Sequence, residues 1–342
     1  MKDLILDANF PRTLDQRVYH LGIRSGEVAN RIVTVGAPSR ASGIAPFTLS
    51  SERGFTTITG RYKGVPVSVV SIGMGYPNAD FFVREVRECL TGDMVVIRLG
   101  SCGGLIDVPV GTVVVPKASV AVTRNYDYDF INGDSHELPY RISKPVDADP
   151  ELRHALSATL QRTRPPTVST GVVDNAINAS ADSFYSSQGR QTSFPDHNET
   201  LIEELKSQHA ELATLEMETF HILHLAANWP RSTHTTATVT PPVTTLPVAP
   251  AMTVPPPPST QGQPPSVSTT DAEGRTLCPK PRIRAAAAQM VFASRTTQDF
   301  ITPETVAAVE AWTGRAVLEA LVGFEIEPDR LHEEAGSVWE LK

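Results

Sequence analysis

Three short segments set small residues beside an arginine: VGAPSR at 35–40, SERGFTT at 51–57 and IRLGSCGG at 97–104. The chemistry such segments serve is anion binding. Glycines let backbone N–H groups approach an oxyanion, and arginine donates paired, charge-assisted hydrogen bonds to phosphate oxygens. Any one of them, taken singly, is more often a strand-to-helix turn with a surface arginine. A fourth segment, FYSSQGR at 184–190, spaces Gln188 and Arg190 two apart, so an extended loop can point both into one pocket. LEMET at 215–219 carries Glu216 and Glu218, which also suit the first turn of a helix, where the dipole favours acids. His221 and His224 have a helical i, i+3 spacing that can ligate metal, but no third ligand stands near them, and no metal is expected. Cys102 invites assignment as a nucleophile, yet small-residue packing beside an anion is the plainer reading. Neither GxxxxGK[ST] nor GxGxxG occurs, which argues against a nucleotide P-loop and a dinucleotide site.

These segments need elements to hold them. Strands are expected over RIVTVG (31–36), VPVSVVSIGMG (65–75), DMVVIRLG (93–100), GTVVVPKASVAV (111–122) and STGVVDNA (169–176). Several are unbroken Val/Ile runs, the pattern of strands covered on both faces. ADFFVREVRECL (79–90) places Phe82, Val83, Val86 and Leu90 on one helical face. A further helix is expected from near Glu218. Strands interleaved with helices indicate an α/β fold around a central sheet.

Composition changes abruptly after residue 229. Residues 230–281 hold 13 of the 28 prolines, with many Thr and Ser and a PPPP run at 255–258. Such a segment cannot bury enough apolar surface to offset the entropy of ordering it, so a disordered surface insertion is expected. Regular patterning then resumes. IRAAAAQMVFAS (283–294) reads as a buried strand, and Thr302 followed by Pro303 opens a C-terminal helix. One domain, 1–342, with an insertion is the expected organisation.

The whole chain has 342 residues and a formal net charge of -8, with no Lys/Arg block, which disfavours nucleic acid as a partner. Its three cysteines are scattered, without a CxxC pair, so neither a disulfide framework nor a zinc site is indicated. The opening MKDLILDANFPRTLDQ lacks the apolar stretch of a signal peptide, and no apolar run is long enough to span a membrane. A soluble, cytoplasmic protein without membrane partners is the expectation.

In order, YHLGI (19–23), VTVGAPSR, ERGFTT, SIGMGYP, RLGSCGG, SFYSSQGR, LEMET and MVFASR (290–295) resemble the uridine phosphorylase branch of the nucleoside phosphorylase family. The resemblance covers most of the chain and is interrupted only by the Pro-rich segment. It implies a single-domain, three-layer α/β fold, with a central mixed sheet flanked by helices. It also implies phosphorolysis of uridine to uracil and ribose 1-phosphate, with inorganic phosphate as co-substrate and no cofactor. By the resemblance, Gly36, Arg40, Arg98 and Ser101 bind phosphate, and Arg53 is lent to the phosphate of a neighbouring subunit. His20 reaches across the same interface to the ribose 5′-hydroxyl, while Glu216, Met217 and Glu218 form the ribose site. Cys102, Gly103, Phe184, Gln188, Arg190 and Arg295 surround the base. Arg98, Arg40, Arg190 and Gln188 carry catalysis. A homo-oligomer follows, with a dimer as the minimal unit and hexamers in bacterial members.

Uracil presents two carbonyl acceptors and an N–H donor, and an amide complements both kinds. Phosphate is already a nucleophile, so positioning and charge stabilisation suffice without a Ser–His or Cys–His pair. The chain departs from the family pattern at Ala37, where bacterial relatives commonly carry an acid, and at Ser101 and Cys102, where they commonly carry threonines. At Gly54 they carry a glutamate that contributes to an intersubunit cation site. Two other functions compete: purine nucleoside phosphorolysis or nucleosidase activity on the same fold, and a non-catalytic binding or storage protein. The purine enzymes place an aspartate after the late strand, where this chain reads Ala293-Ser294-Arg295.

Overall fold

The computed structural model describes residues 4–36, 47–133, 136–229 and 280–341. Arg40, Ala37 and nearly all of the Pro-rich segment lie outside the described residues.

The centre of the fold is the strand Met94–Gly104. Its run MVVIRL alternates between two cores. Val95, Ile97 and Leu99 pack with Leu152, Leu156 and Leu160 of helix α2 (Pro150–Thr163) and with Val309, Trp312 and Val317 of helix α5 (Pro303–Gly323). Met94 and Val96 face the other way, towards Phe82, Val83 and Val86 of helix α1 (Tyr76–Cys89) and Ile222 and Leu223 of helix α4 (Thr219–Asn228). Both faces are covered, as an unbroken apolar strand requires. A smaller core under helix α3 (Leu201–Gln208) joins Leu201 and Leu205 to Val120, Ile177 and Leu215. The result is the expected three-layer arrangement with a mixed sheet.

Arg31–Val35, Val65–Ser71 and Ile283–Ser294 lie parallel to the central strand or to its neighbour, so their carboxyl ends converge. Arg31–Val35 pairs with the central strand only as far as Leu99. Leu212–Glu216 pairs with it antiparallel at Gly103 and Gly104. Between these two partners the sheet forks over Gly100–Cys102. A crevice at the carboxyl ends of parallel strands, where the neighbouring strand changes, is where α/β sheets bind ligands.

Several elements differ from expectation. IRLGSCGG is not a strand-to-helix turn: residues 97–104 stay within the strand, because Ile283–Ser294 remains paired alongside to Gly104. The stretch 111–122 divides at Pro116 into Val113–Val115 and Ala118–Arg124, since proline supplies no N–H to a ladder. Residues 169–176 yield only Val172–Asp174, and the buried strand Ile177–Ala181 follows. The late strand and the C-terminal helix fall where expected, with Thr302 Oγ1 accepting from the Thr305 N–H at 3.3 Å. Trp229 Nε1 donates to the Pro281 carbonyl at 2.9 Å, so the two ends of the Pro-rich segment meet on the same side of the fold. Among the described residues, no helix is long and apolar enough to cross a membrane.

Candidate active site

A cavity of about 460 Å³ opens at the fork. Its walls are the strand end Gly36, the central strand at Arg98, Ser101, Cys102 and Gly103, the segment 184–190, and the turn Leu215–Glu218.

Arg98 and Glu218 form the electrostatic centre. Both side chains are 4% exposed, and Arg98 Nη2 donates to Glu218 Oε2 at 2.6 Å. Arg98 Nη1 reaches the Leu99 carbonyl at 3.3 Å, whereas Nε is buried and has no hydrogen-bond partner among the described residues. A side chain at Gly36 would sit 3.7 Å from the guanidinium, so glycine there keeps the approach to Arg98 open. Glu218 Oε1 accepts from the Gly75 N–H at 2.6 Å. That contact depends on SIGMGYP, where Gly73 and Gly75 take φ of +68° and +94°, conformations that side chains resist. The same turn brings Gly73 and Met74 to the cavity wall, a role the sequence reading did not give them.

The two acids of LEMET do different work. Glu216 accepts from Asn178 Nδ2 at 2.8 Å, from the Glu218 N–H at 2.9 Å, and from the Thr219 N–H and hydroxyl at 3.0 Å; the Ser180 hydroxyl also donates to it. It therefore caps the start of α4, and its ionised form is fully engaged within the chain. Burial, reinforced by the neighbouring Glu218, raises its pKa above the ordinary carboxylate value, and bonds from Ser180 and Asn178 pull back. The helix-terminus reading thus holds for Glu216, while Glu218 faces Arg98.

At the opposite end, Ser186–Gln188 forms a single 3₁₀ turn closed by Gly189 at φ +63°. Arg190 Nη1 donates to Gln188 Oε1 at 2.5 Å and to the Phe184 carbonyl at 2.7 Å, and its guanidinium stacks 3.9 Å over the Phe184 ring. The spacing of two is right, although a turn, not an extended loop, delivers it. With Oε1 held by Arg190, the Gln188 amide is oriented. Burial, and then the charge of Arg295, lower the Arg190 pKa to about 10. Arg295 itself is not in the cavity wall. Its Nη1 and Nη2 donate to the Gln188 and Gly189 carbonyls at 3.0 and 3.2 Å, which places it behind the turn as a brace. Neither arginine forms an ion pair with a carboxylate among the described residues, so this end of the cavity favours negative charge.

Cys102 is buried, donates to the Met290 carbonyl at 3.5 Å, and has its thiol pKa pushed well up by desolvation, so it is a packing residue. His20 and Arg53 lie away from the cavity. His20 Nδ1 pairs with Glu85 at 2.6 Å and its ring stacks on Phe81 at 3.6 Å, while Arg53 stacks 4.0 Å over Tyr19. Gly54 sits in the adjoining turn at φ +85°. His221 pairs with Asp80 at 3.2 Å, and His224 stacks on Phe220. Phe292, Ala293 and Phe300 complete the wall. MVFASR carried a signal for the first two, whereas nothing in the sequence marked Phe300.

The family model of the phosphorylase superfamily matches residues 30–228. The chain belongs to that superfamily. Among its members, a uridine phosphorylase of Thermococcus kodakarensis is 30% identical over 236 residues, covering 66% of this chain and 78% of the relative. A solved structure from a study of two diverse uridine phosphorylases in the oomycete Phytophthora capsici is 36% identical. It covers 94% of this chain and is itself covered completely, with a TM-score of 0.75. A DeoD-type purine nucleoside phosphorylase of Geobacillus kaustophilus is 38% identical, but over only 92 residues and 39% of its length. The superfamily's fold is the one described above, and RLGSCGG, SFYSSQGR, LEMET and MVFASR each supply residues to the cavity wall.

Proposed function

We propose that the protein is a pentosyltransferase that cleaves uridine with inorganic phosphate, giving uracil and ribose 1-phosphate. The observation that carries this reading is one cavity with a buried Arg98–Glu218 pair at one end and the oriented Gln188–Arg190 pair at the other. The Thermococcus relative, matched over 78% of its length, is a uridine phosphorylase, and the Phytophthora structure, matched over all of its length, comes from a study of uridine phosphorylases.

In this reading phosphate lies on Arg98, Ser101 and Gly36, with Arg40 joining them, and attacks C1′ of the ribose. Glu218 accepts from the sugar hydroxyls, and Met217 packs on the ring. Glu216 acts indirectly, by holding the turn. As the C1′–N1 bond breaks, its electron pair goes to the base, and Arg190 stabilises the charge that develops there. The Gln188 amide and Arg190 bind the pyrimidine edge, with Phe184, Cys102 and Gly103 around it. Preorganised donors aimed at developing charge are the main source of rate in such a site. Phosphate is the co-substrate, and no cofactor or metal takes part.

The position of His20 and Arg53 on a surface cluster outside the cavity supports their acting on a neighbouring subunit, with a dimer as the minimal active unit. Pyrimidine nucleoside salvage in the cytoplasm is the role that fits. The test is incubation with uridine, thymidine, inosine or adenosine, each with and without phosphate. Phosphate-dependent release of uracil supports the reading. Cleavage of inosine alone, or base release that ignores phosphate, refutes it.

A further inference from the structure

Gln289 is a fully buried amide on the strand Ile283–Ser294, in register with Gly100 of the central strand. Its Nε2 donates to Thr219 Oγ1 at 2.5 Å, and that hydroxyl donates onward to Glu216 Oε2 at 3.0 Å. The relay ends on an acceptor, because the same Glu216 Oε2 also accepts from the Glu218 and Thr219 backbone N–H groups. Gln289 therefore fills the acceptor side of the Thr219 hydroxyl and turns its proton towards Glu216. The same Glu216 Oε2 accepts from the Glu218 N–H at 2.9 Å, so the relay ends on the backbone of the residue that meets Arg98.

Space confines the amide as well. A Cβ at Gly100 would lie 2.6 Å from Gln289 Oε1 and 3.6 Å from Arg98 Cζ. The amide thus occupies the gap that this glycine leaves, close behind the guanidinium. Oε1 is buried without a hydrogen-bond partner among the described residues. A buried acceptor left unpaired weakens the fold. An apolar side chain of the same length would avoid that loss, so folding alone does not account for the amide.

We propose that Gln289 is a positioning residue for the ribose site: through Thr219 and Glu216 it sets the turn that aims Glu218 at the sugar hydroxyls. This rests on the reading of Glu218 given above. Gln289 touches neither substrate nor reacting atoms in this account.

The experiment compares kcat/KM for uridine with that for 2′-deoxyuridine, alongside the melting temperature. Gln289→Met should lower the uridine-to-deoxyuridine ratio about tenfold, the effect of misplacing one charge-assisted hydrogen bond. Its melting temperature should be equal to or above that of the parent, because the unpaired acceptor is gone. Thr219→Val should lower the ratio by a similar factor, and the double variant should be no worse than either single one, as expected for members of one relay. Thr219→Ser, which keeps the hydroxyl, should restore the ratio. Glu218→Gln serves as the reference. If it lowers the ratio while Gln289→Met does not, the positioning role is overturned and the ribose reading stands. If Glu218→Gln leaves the ratio unmoved, the ribose reading fails and takes this inference with it.

Discussion

Replacing Glu218 by Gln perturbs the Arg98 pair at its strongest point. The two side chains are 2.6 Å apart and both 4% exposed, so solvent cannot compensate the guanidinium once its counter-charge is gone. Breaking a buried pair from one side costs about 3–5 kcal/mol, and the Gln carbonyl keeps an acceptor in place, so about 3 kcal/mol is expected. Unfolding entropy of roughly 2.1 cal/mol/K per residue over 342 residues converts this to a fall of about 4 °C in melting temperature. Phosphate should then behave in a telling way. Arg98 in the variant has lost its internal anion, so an external anion replaces it at less cost and binds more tightly. Ligand at a hundred times its Kd stabilises by about 2.7 kcal/mol, enough to recover most of the loss. Scanning calorimetry of both proteins, in phosphate-free buffer and across a phosphate series, reads both effects. The variant should melt lower without phosphate and show the larger phosphate-induced rise, while turning over uridine more slowly. A variant that gains no more from phosphate than the parent does would show that Arg98 is not the phosphate ligand, and one that melts with the parent would show that the pair does not stabilise the fold.

Other perturbations reach other parts of the site. Arg190→Ala should reduce uridine turnover on the order of a hundredfold with a nearly unchanged melting temperature; retained turnover would remove Arg190 from base recognition. Arg295→Ala should raise KM for the nucleoside more than it lowers kcat, since Arg295 braces the turn from behind, and an equal loss in kcat would place it in the chemistry. Burial holds the Cys89 thiol at about 12 and Cys102 well above its ordinary value, so both are protonated at pH 9. Iodoacetamide should leave both unlabelled in the folded protein and modify them once urea unfolds it, with thiolate appearing only as pH rises; fast labelling at pH 8 contradicts this. Because Trp229 and Pro281 meet across a hydrogen bond, replacing residues 231–279 with a short Gly/Ser linker should preserve the fold and uridine cleavage. Loss of both would mean the segment belongs to the domain.

The sequence was legible where a local pattern had one outcome. MVVIRL and IRAAAAQMVF are apolar at nearly every residue, with Arg98, Arg284 and Gln289 the exceptions, a pattern that suits a strand buried on both faces, and both are found as such. It failed where tertiary pairing overrode local signals. Glycines at 100, 103 and 104 suggested a strand-to-helix turn, yet the late strand holds them in the ladder, and their lack of side chains makes room for Gln289, Arg295 and Val291 instead. Glu216 and Glu218 are indistinguishable in a string of letters. Only the packing of Asn178, Ser180 and Thr219 around one of them separates a helix cap from the partner of Arg98. Arg295 looked like a base contact because it ends a matching motif, and its guanidinium is spent on two carbonyls behind the turn. Phe300 was illegible, since an exposed aromatic beyond a strand has no periodicity to place it.

The central claim is that phosphate held at Arg98 attacks C1′ directly. Incubation of the protein with uridine and phosphate labelled with ¹⁸O on all of its oxygens tests it, with mass analysis of the sugar product. Ribose 1-phosphate should carry the full label, including the oxygen that bridges carbon and phosphorus, and uracil should appear in equal amount. Free ribose without label, or uracil released at the same rate when phosphate is withheld, would contradict the account.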